Sequence, residues 1–289
     1  MNARSENLLP QPRPVVQVVS GYETSDGAGV RLTRLIGTPA LDMLDPFLML
    51  DAFRSDEPED YLAGFPSHPH RGFETVTYLL AGKMRHHDNA GHAGVIEAGG
   101  VQWMSAGRGI IHSEMPEQEN GLLAGFQLWV NLPASHKMMT PRYQEFGREA
   151  IPVEQREGAQ VHVVAGTTSR GTQGPVRQLI TDVIYYDITL AAGARFSEPL
   201  PADHNAFIHV VEGQLIVTGG GGITSRVNAG DLAILGAGAR VELQALSEAR
   251  LLLLAGQPLR EPVAKGGPFV MNTQAELQQA YSDYRSGKF

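Results

Sequence analysis

The sequence predicts an all-β protein: two tandem β-barrel domains and a C-terminal amphipathic helix, on three observations. Short apolar runs recur along the chain and are separated by turn residues, not by helical periods. Glycine and proline are abundant, 33 and 18 of 289 residues, as many turns require. Two segments also reappear at one spacing. Glu74-Thr-Val-Thr-Tyr-Leu-Leu-Ala-Gly82 matches Asn205-Ala-Phe-Ile-His-Val-Val-Glu-Gly213, and Glu97-Ala-Gly-Gly-Val-Gln-Trp-Met-Ser-Ala-Gly107 matches Asn228-Ala-Gly-Asp-Leu-Ala-Ile-Leu-Gly-Ala-Gly238, both at an offset of 131 residues. Two matches at one offset indicate two copies of one β domain.

Taken in order, residues 15–36 and 47–53 read as short strands around a polar turn at Ser25, Asp26 and Gly27. Residues 73–80 form a β-rich run that ends at Gly82, and residues 101–105 and 122–132 continue the pattern. A polar stretch, 133–148, is broken by Pro141. After 161–166, the Gly/Thr/Ser/Pro-rich segment 167–175 is expected to be an exposed, mobile loop. The strand pattern restarts at 183–190 and runs through 207–211, 214–218, 232–235 and 250–254. At the end, Thr273-Gln-Ala-Glu276 is a capping-box pattern, and Leu277, Ala280, Tyr281 and Tyr284 recur at helical spacing. That helix is expected to lay one face on a barrel. The division expected is 1–135 for the first domain, 136–181 for a linker with connecting strands, and 182–289 for the second domain with the helix.

Composition narrows the function. An apolar fraction of 42% excludes general disorder. Net charge is −8 and no basic stripe is present, which argues against direct nucleic-acid binding. With no cysteine, disulfides, thiolate metal sites and cysteine nucleophiles are all excluded. The first sixteen residues lack the continuous apolar core of a secretion signal, and the longest aliphatic run, 251–254, is far short of a membrane span. The expectation is a soluble, cytoplasmic protein with no membrane contact.

Metal chemistry is the strongest functional signal. On a strand, residues i and i+2 point to the same face, so His68 and His70 aim two imidazoles at one point, and His112 and Glu114 do the same from a second strand. With the two strands on facing walls of a small barrel, four N/O ligands converge inside it. A lone His-x-His is more often a surface pair than a site. Two i, i+2 pairs in a chain of 10 histidines shift the balance toward a site. The repeat supplies a control: at the same offset the four positions become Pro199, Pro201, Leu243 and Ala245, so the second copy keeps the framework without the ligands.

Other features of the sequence carry less. Gly107-Arg-Gly109 lacks the third glycine of a dinucleotide fingerprint, and residues 219–222 lack the Lys-Ser/Thr of a phosphate loop. Neither Ser105 nor Ser113 sits in a Gly-x-Ser-x-Gly elbow. His86, His87 and His92 fall in a polar stretch and read as a solvated loop. Glu74, four residues past His70, is a candidate partner for a ligand histidine on its own face. Arg71 and Arg108 read equally as carboxylate partners and as surface charges. Phe65, Phe73, Trp103 and Met104 are candidates for a pocket wall, although burial in an ordinary core explains each of them more simply.

The stretch His-Pro-His-Arg-Gly-Phe-Glu-Thr-Val-Thr-Tyr-Leu from His68, and Gln-Trp-Met-Ser-Ala-Gly-Arg-Gly-Ile-Ile-His-Ser-Glu-Met-Pro from Gln102, closely resemble the pirin family motif. Leu128-Trp-Val-Asn-Leu132 and Pro268-Phe-Val-Met-Asn272 resemble it too. The resemblance implies two tandem cupin (jelly-roll-like) barrels with one metal per chain in the first. It places the ligands at His68, His70, His112 and Glu114. The ligand types suit Fe, Mn, Co, Ni, Cu or Zn; the resemblance implies Fe(II), with the others as substitutes. It also implies a metal-dependent dioxygenase of quercetin 2,3-dioxygenase type, which opens a flavonol with O2 and releases CO, with Glu114 as general base. The alternative it carries is a metal-containing regulatory protein that binds a transcription factor or a metabolic enzyme without turnover. An acidic surface suits docking to a basic partner.

Overall fold

The structure, a computed structural model, describes residues 11–289, so the expectation about a secretion signal lies partly outside the described residues. Two compact units are present. The first comprises Gly21–Pro152, Gly174–Val183 and Gly256–Phe289; the second comprises Ile184–Ala255, Val153–Gln173 and the strand Val15–Ser20.

In the first unit a seven-stranded antiparallel sheet runs in the order Arg142–Phe146, Val101–Ser105, Phe73–Ala81, Leu123–Asn131, Phe47–Ser55, Val30–Ile36, Tyr22–Asp26. Its partner is a four-stranded sheet of Phe65–His70, Ile110–Pro116, Lys83–Asp88 and Ala93–Glu97. The central strands of the large sheet are almost continuously buried, whereas Lys83–Asp88 alternates strictly: Met84, His86 and Asp88 inward, Lys83, Arg85 and His87 outward. That alternation is what a sheet with one wet face requires. Val30, Leu32, Phe53, Tyr61, Leu79 and Met84 fill the apolar end of this barrel.

The second unit repeats the plan, with a seven-stranded sheet and the four strands Arg195–Pro199, Arg240–Ala245, Gln214–Thr218 and Thr224–Asn228. The repeated glycines are explained by the backbone. Gly82 and Gly213 close equivalent hairpins at φ +83° and +80°, and a Cβ would come within 2.4 Å of Gln118 Oε1 at the first and 2.2 Å of the Glu248 carbonyl at the second.

Strand pairing corrects the expected repeat. His112 lies opposite His68 and Ile110 opposite His70; in the second unit Leu243 lies opposite Phe196 and Val241 opposite Glu198. Leu243 and Ala245 do replace His112 and Glu114. The counterparts of His68 and His70 are Phe196 and Glu198, however, not Pro199 and Pro201. The offset is three residues shorter in this strand, a shift that the later glycines cannot reveal. Phe196, Leu243 and Ala245 are buried together in the hydrophobic core of this unit. Glu198 is buried as well and meets Arg156 at 2.6 Å, while Arg156 also meets Glu154 at 2.5 Å and stacks over the Phe196 ring. A guanidinium between two carboxylates therefore occupies the end of the second barrel that corresponds to the histidine strand of the first.

Within the segment 136–181, Arg142–Phe146 joins the first unit and Val153–Arg156 and Ala159–Ala165 join the second. Two further expectations change. The loop 167–175 is pinned, because Thr168 is buried and donates to Glu154, and the Ser169 amide donates to Glu198 at 2.6 Å. The helix Gln274–Arg285 forms with its Thr273–Glu276 capping box, but it belongs to the first unit, with Leu277 and Ala280 packed on Phe269 and Met271. Among the described residues no helix is long and apolar enough to cross a membrane.

Candidate metal centre

His68 and His70 stand on Phe65–His70, and His112 and Glu114 on Ile110–Pro116. The two strands are hydrogen-bonded neighbours in one sheet, not facing walls as expected. Convergence is achieved by cross-strand pairing, since His68 lies directly opposite His112. A register shift between His112 and Glu114 then re-aims the carboxylate.

Ligand atoms of the three histidines lie within 4.8 Å of one another. His68 Nε2 and His70 Nε2 are 3.0 Å apart, the separation of two nitrogens at right angles about 2.1 Å from one ion. His68 Nδ1 lies 2.7 Å from the Pro66 carbonyl, so the proton belongs on Nδ1 and the Nε2 lone pair faces the other imidazoles. His112 Nε2 is buried with no hydrogen-bond partner and lies 4.0 Å from Glu114 Oε2. Such an orphaned acceptor is costly, and a cation would satisfy it. Burial holds the His112 imidazole down at about 4, against the opposing pull of Glu114; burial and then His112 hold His70 well below the ordinary histidine value. Both rings are thus neutral at pH 7, the form that binds a metal. By donor chemistry and spacing, these residues could hold a transition-metal ion.

Glu114 is gripped at both oxygens. Thr77 Oγ1 lies 2.7 Å from Oε1, and Gln127 Nε2 donates to Oε2 at 2.9 Å. Thr77 Oγ1 also lies 2.6 Å from Gln127 Oε1. Neither Thr77 nor Gln127 stands out in the sequence, although strand phase holds the signal: Thr77 shares the face of Phe73, and Gln127 that of Trp129.

Beside the histidines opens a cavity of about 770 Å³. His68, His70, Glu114, Gln127, Trp129 and Phe65 are among its lining residues. Of the proposed walls, Phe65 lines it, and Phe73 packs against His70 and Trp129 at ring distances of 5.1 and 4.3 Å. Trp103 and Met104 are plain buried core.

The remaining candidates fall elsewhere. Glu74 meets Ser105, not a ligand histidine, because the turn at Gly72 resets the face count and sends Glu74 to the opposite side from Phe73 and Thr77. Burial raises its carboxyl above the usual range. His86 is no loop residue: it is buried opposite Glu114, bonds Glu145 at 2.6 Å and stacks on Tyr143. His92 bonds Asp88 at 3.0 Å, and His87 is exposed. Arg71 is buried, pairs with Asp283 at 2.9 Å and donates to the Arg108 carbonyl; the Arg108 side chain is exposed.

Comparison with known proteins places the chain in a family. A family model described as Pirin matches residues 29–130, and one described as Pirin C-terminal cupin domain matches 185–289. A pirin-like protein of Caulobacter vibrioides is 54% identical over 96% of this chain and 99% of its own length. A crystal structure of quercetin 2,3-dioxygenase from Acinetobacter baumannii superposes with a TM-score of 0.87 at 33% identity, covering 96% of this chain and 98% of that one. A bacterial pirin from Escherichia coli in complex with nickel(II) shares the fold, with a TM-score of 0.63 at 21% identity over 84% of this chain and 98% of that one.

Proposed function

The chain belongs to the pirin family, a bicupin fold, and from that premise we propose that it is a metal-dependent dioxygenase of quercetin 2,3-dioxygenase type. It would open flavonols with O2 and release CO. The observation that carries the reading is the convergence of His68, His70 and His112, with Glu114 beside them, next to a cavity whose wall presents His68, His70, Glu114, Trp129 and Phe65. We assign His68, His70, His112 and Glu114 as the ligands of one ion per chain, Fe(II) in this reading. Bound there, the ion supplies Lewis acidity toward the flavonol oxygens and a route for electrons to O2.

The chain's own residues do the rest. Trp129 and Phe65 offer flat apolar surface to the flavonol rings and exclude water around them. Glu114 accepts the proton of the flavonol 3-hydroxyl. Its setting suits that task. With Glu114 ionised, the single hydroxyl hydrogen of Thr77 faces two acceptors, Glu114 Oε1 and Gln127 Oε1. A proton on Glu114 Oε1 completes the ring: Glu114 donates to Thr77, Thr77 to Gln127 Oε1, and Gln127 Nε2 to Glu114 Oε2. Thr77 and Gln127 thereby hold the transferred proton at a defined atom.

The test is quercetin loss with CO release on protein of measured metal content. His112→Ala is expected to abolish both metal binding and turnover with the fold retained, and Thr77→Val to lower kcat about 100-fold, at the low end of what a positioned acid–base group contributes. Metal held tightly without turnover of any flavonol would favour the regulatory alternative. Unchanged metal content in both His68→Ala and Glu114→Ala would remove the ligand assignment.

A further inference from the structure

Two cations line the cavity, Arg34 and Lys265. Arg34 is committed: it makes bonds of 2.8 and 2.7 Å to the buried carboxylate of Asp51 and another of 2.7 Å to Asp26. Drawing it away would leave a buried charge unpaired. Lys265 is differently placed. Among the described residues its ammonium meets only Asp42, at 2.6 Å from Oδ1 and 3.0 Å from the backbone carbonyl, and the Asp42 side chain is 74% exposed. A pair of that kind is worth about 0–1 kcal/mol, so an acidic group on a ligand can take the ammonium at little cost.

The wall that carries Lys265 is firmly held. Lys265 lies in the strand Ala264–Gly266, paired with Phe269–Met271. The Tyr281 hydroxyl donates to the Gly266 carbonyl at 2.8 Å, and its ring packs edge-on against Phe269 at 4.9 Å. Gly267 takes φ +52°, and a Cβ there would stand 3.2 Å from the Tyr281 hydroxyl. The Val270 amide donates to the Arg71 carbonyl at 3.0 Å, and the buried Lys137 ammonium donates to both Gly72 O and Val270 O at 2.7 and 3.0 Å. The wall is thus tied to the residues that directly follow His70.

We infer that Lys265 is the specificity-determining residue of this cavity, recognising an acidic phenol hydroxyl on the outer rings of an aromatic ligand, and that Tyr281 is the positioning residue for its wall. The inference rests on the flavonol reading and narrows it to ring-hydroxylated flavonols.

Calorimetric titration of the metal-loaded protein, without O2, with quercetin and with 3-hydroxyflavone tests it. Both compounds present the same 3-hydroxyl and 4-carbonyl; only quercetin carries hydroxyls on the outer rings. Lys265→Met is expected to weaken quercetin about fivefold while leaving 3-hydroxyflavone within about twofold, as loss of one exposed charge contact would. Tyr281→Phe should move the same ratio in the same direction with metal content unchanged. Equal losses for both compounds, or none, in Lys265→Met overturn the assignment and leave the flavonol reading standing. Wild-type protein that binds neither compound overturns both. A Tyr281→Phe variant that melts earlier yet keeps the wild-type ratio removes Tyr281 from the positioning role.

Discussion

His209 shows how burial alone gives a residue a pH signature. It lies in the second unit, where burial holds its imidazole down at about 4, only partly offset by the Asp231 carbonyl 3.1 Å from Nδ1. The unfolded chain takes up that proton near 6.5 and the folded chain does not, so the unfolded state binds more protons between the two values. Stability is therefore full above that window and declines as pH falls from about 6.5 to 4, by ~3 kcal/mol for this group. Urea melts across that range should show the decline, and His209→Gln should remove this group's share of it, His70 and His112 contributing in the same direction. A slope that His209→Gln leaves unchanged would assign the loss to other groups. Glu74 and His86 make the complementary point. Their residue types were legible, but the face each occupies depends on the turn at Gly72 and on strict alternation through Lys83–Asp88.

Among the elements, the strand Arg195–Pro199 is the informative one. Its first-unit equivalent presents two histidines; this one presents Phe196 inward and places Glu198 on Arg156, with Glu154 on the other side. All three charged side chains are at most 7% exposed. Removing the guanidinium leaves two buried carboxylates together, so Arg156→Ala is expected to cost about 3–5 kcal/mol in denaturant unfolding. A loss under about 1 kcal/mol would mean that water reaches the carboxylates freely. The pinned loop 167–175 follows from the same triad. A Gly/Ser/Thr-rich composition usually marks mobility, but here Thr168 and Ser169 supply the donors that the carboxylates need.

For the whole molecule, two units with separate cores and, among the described residues, one candidate metal centre make an unequal pair. An ion bound only to the folded first unit stabilises that unit by mass action. Metal analysis should return one ion per chain, and chelation should lower a calorimetric transition of the first unit while leaving that of the second in place. Two ions per chain, or equal shifts of both transitions, would contradict a second barrel that lacks the ligand histidines.

The sequence by itself determined the β class, the two copies, the capped helix and the grouping of His68, His70, His112 and Glu114, because alternation, turn glycines and i, i+2 spacing are local properties of a strand. Only the tertiary structure decided that the strands carrying His68, His70, His112 and Glu114 are neighbours, that Thr77 and Gln127 grip Glu114, and that residues 256–289 belong to the unit with the histidine cluster. The same holds for the counterparts of His68 and His70, which only cross-strand register identifies as Phe196 and Glu198. The physical reason is common to all of these. Spacing along the chain states which side chains share a face, whereas strand pairing between distant segments states which faces meet.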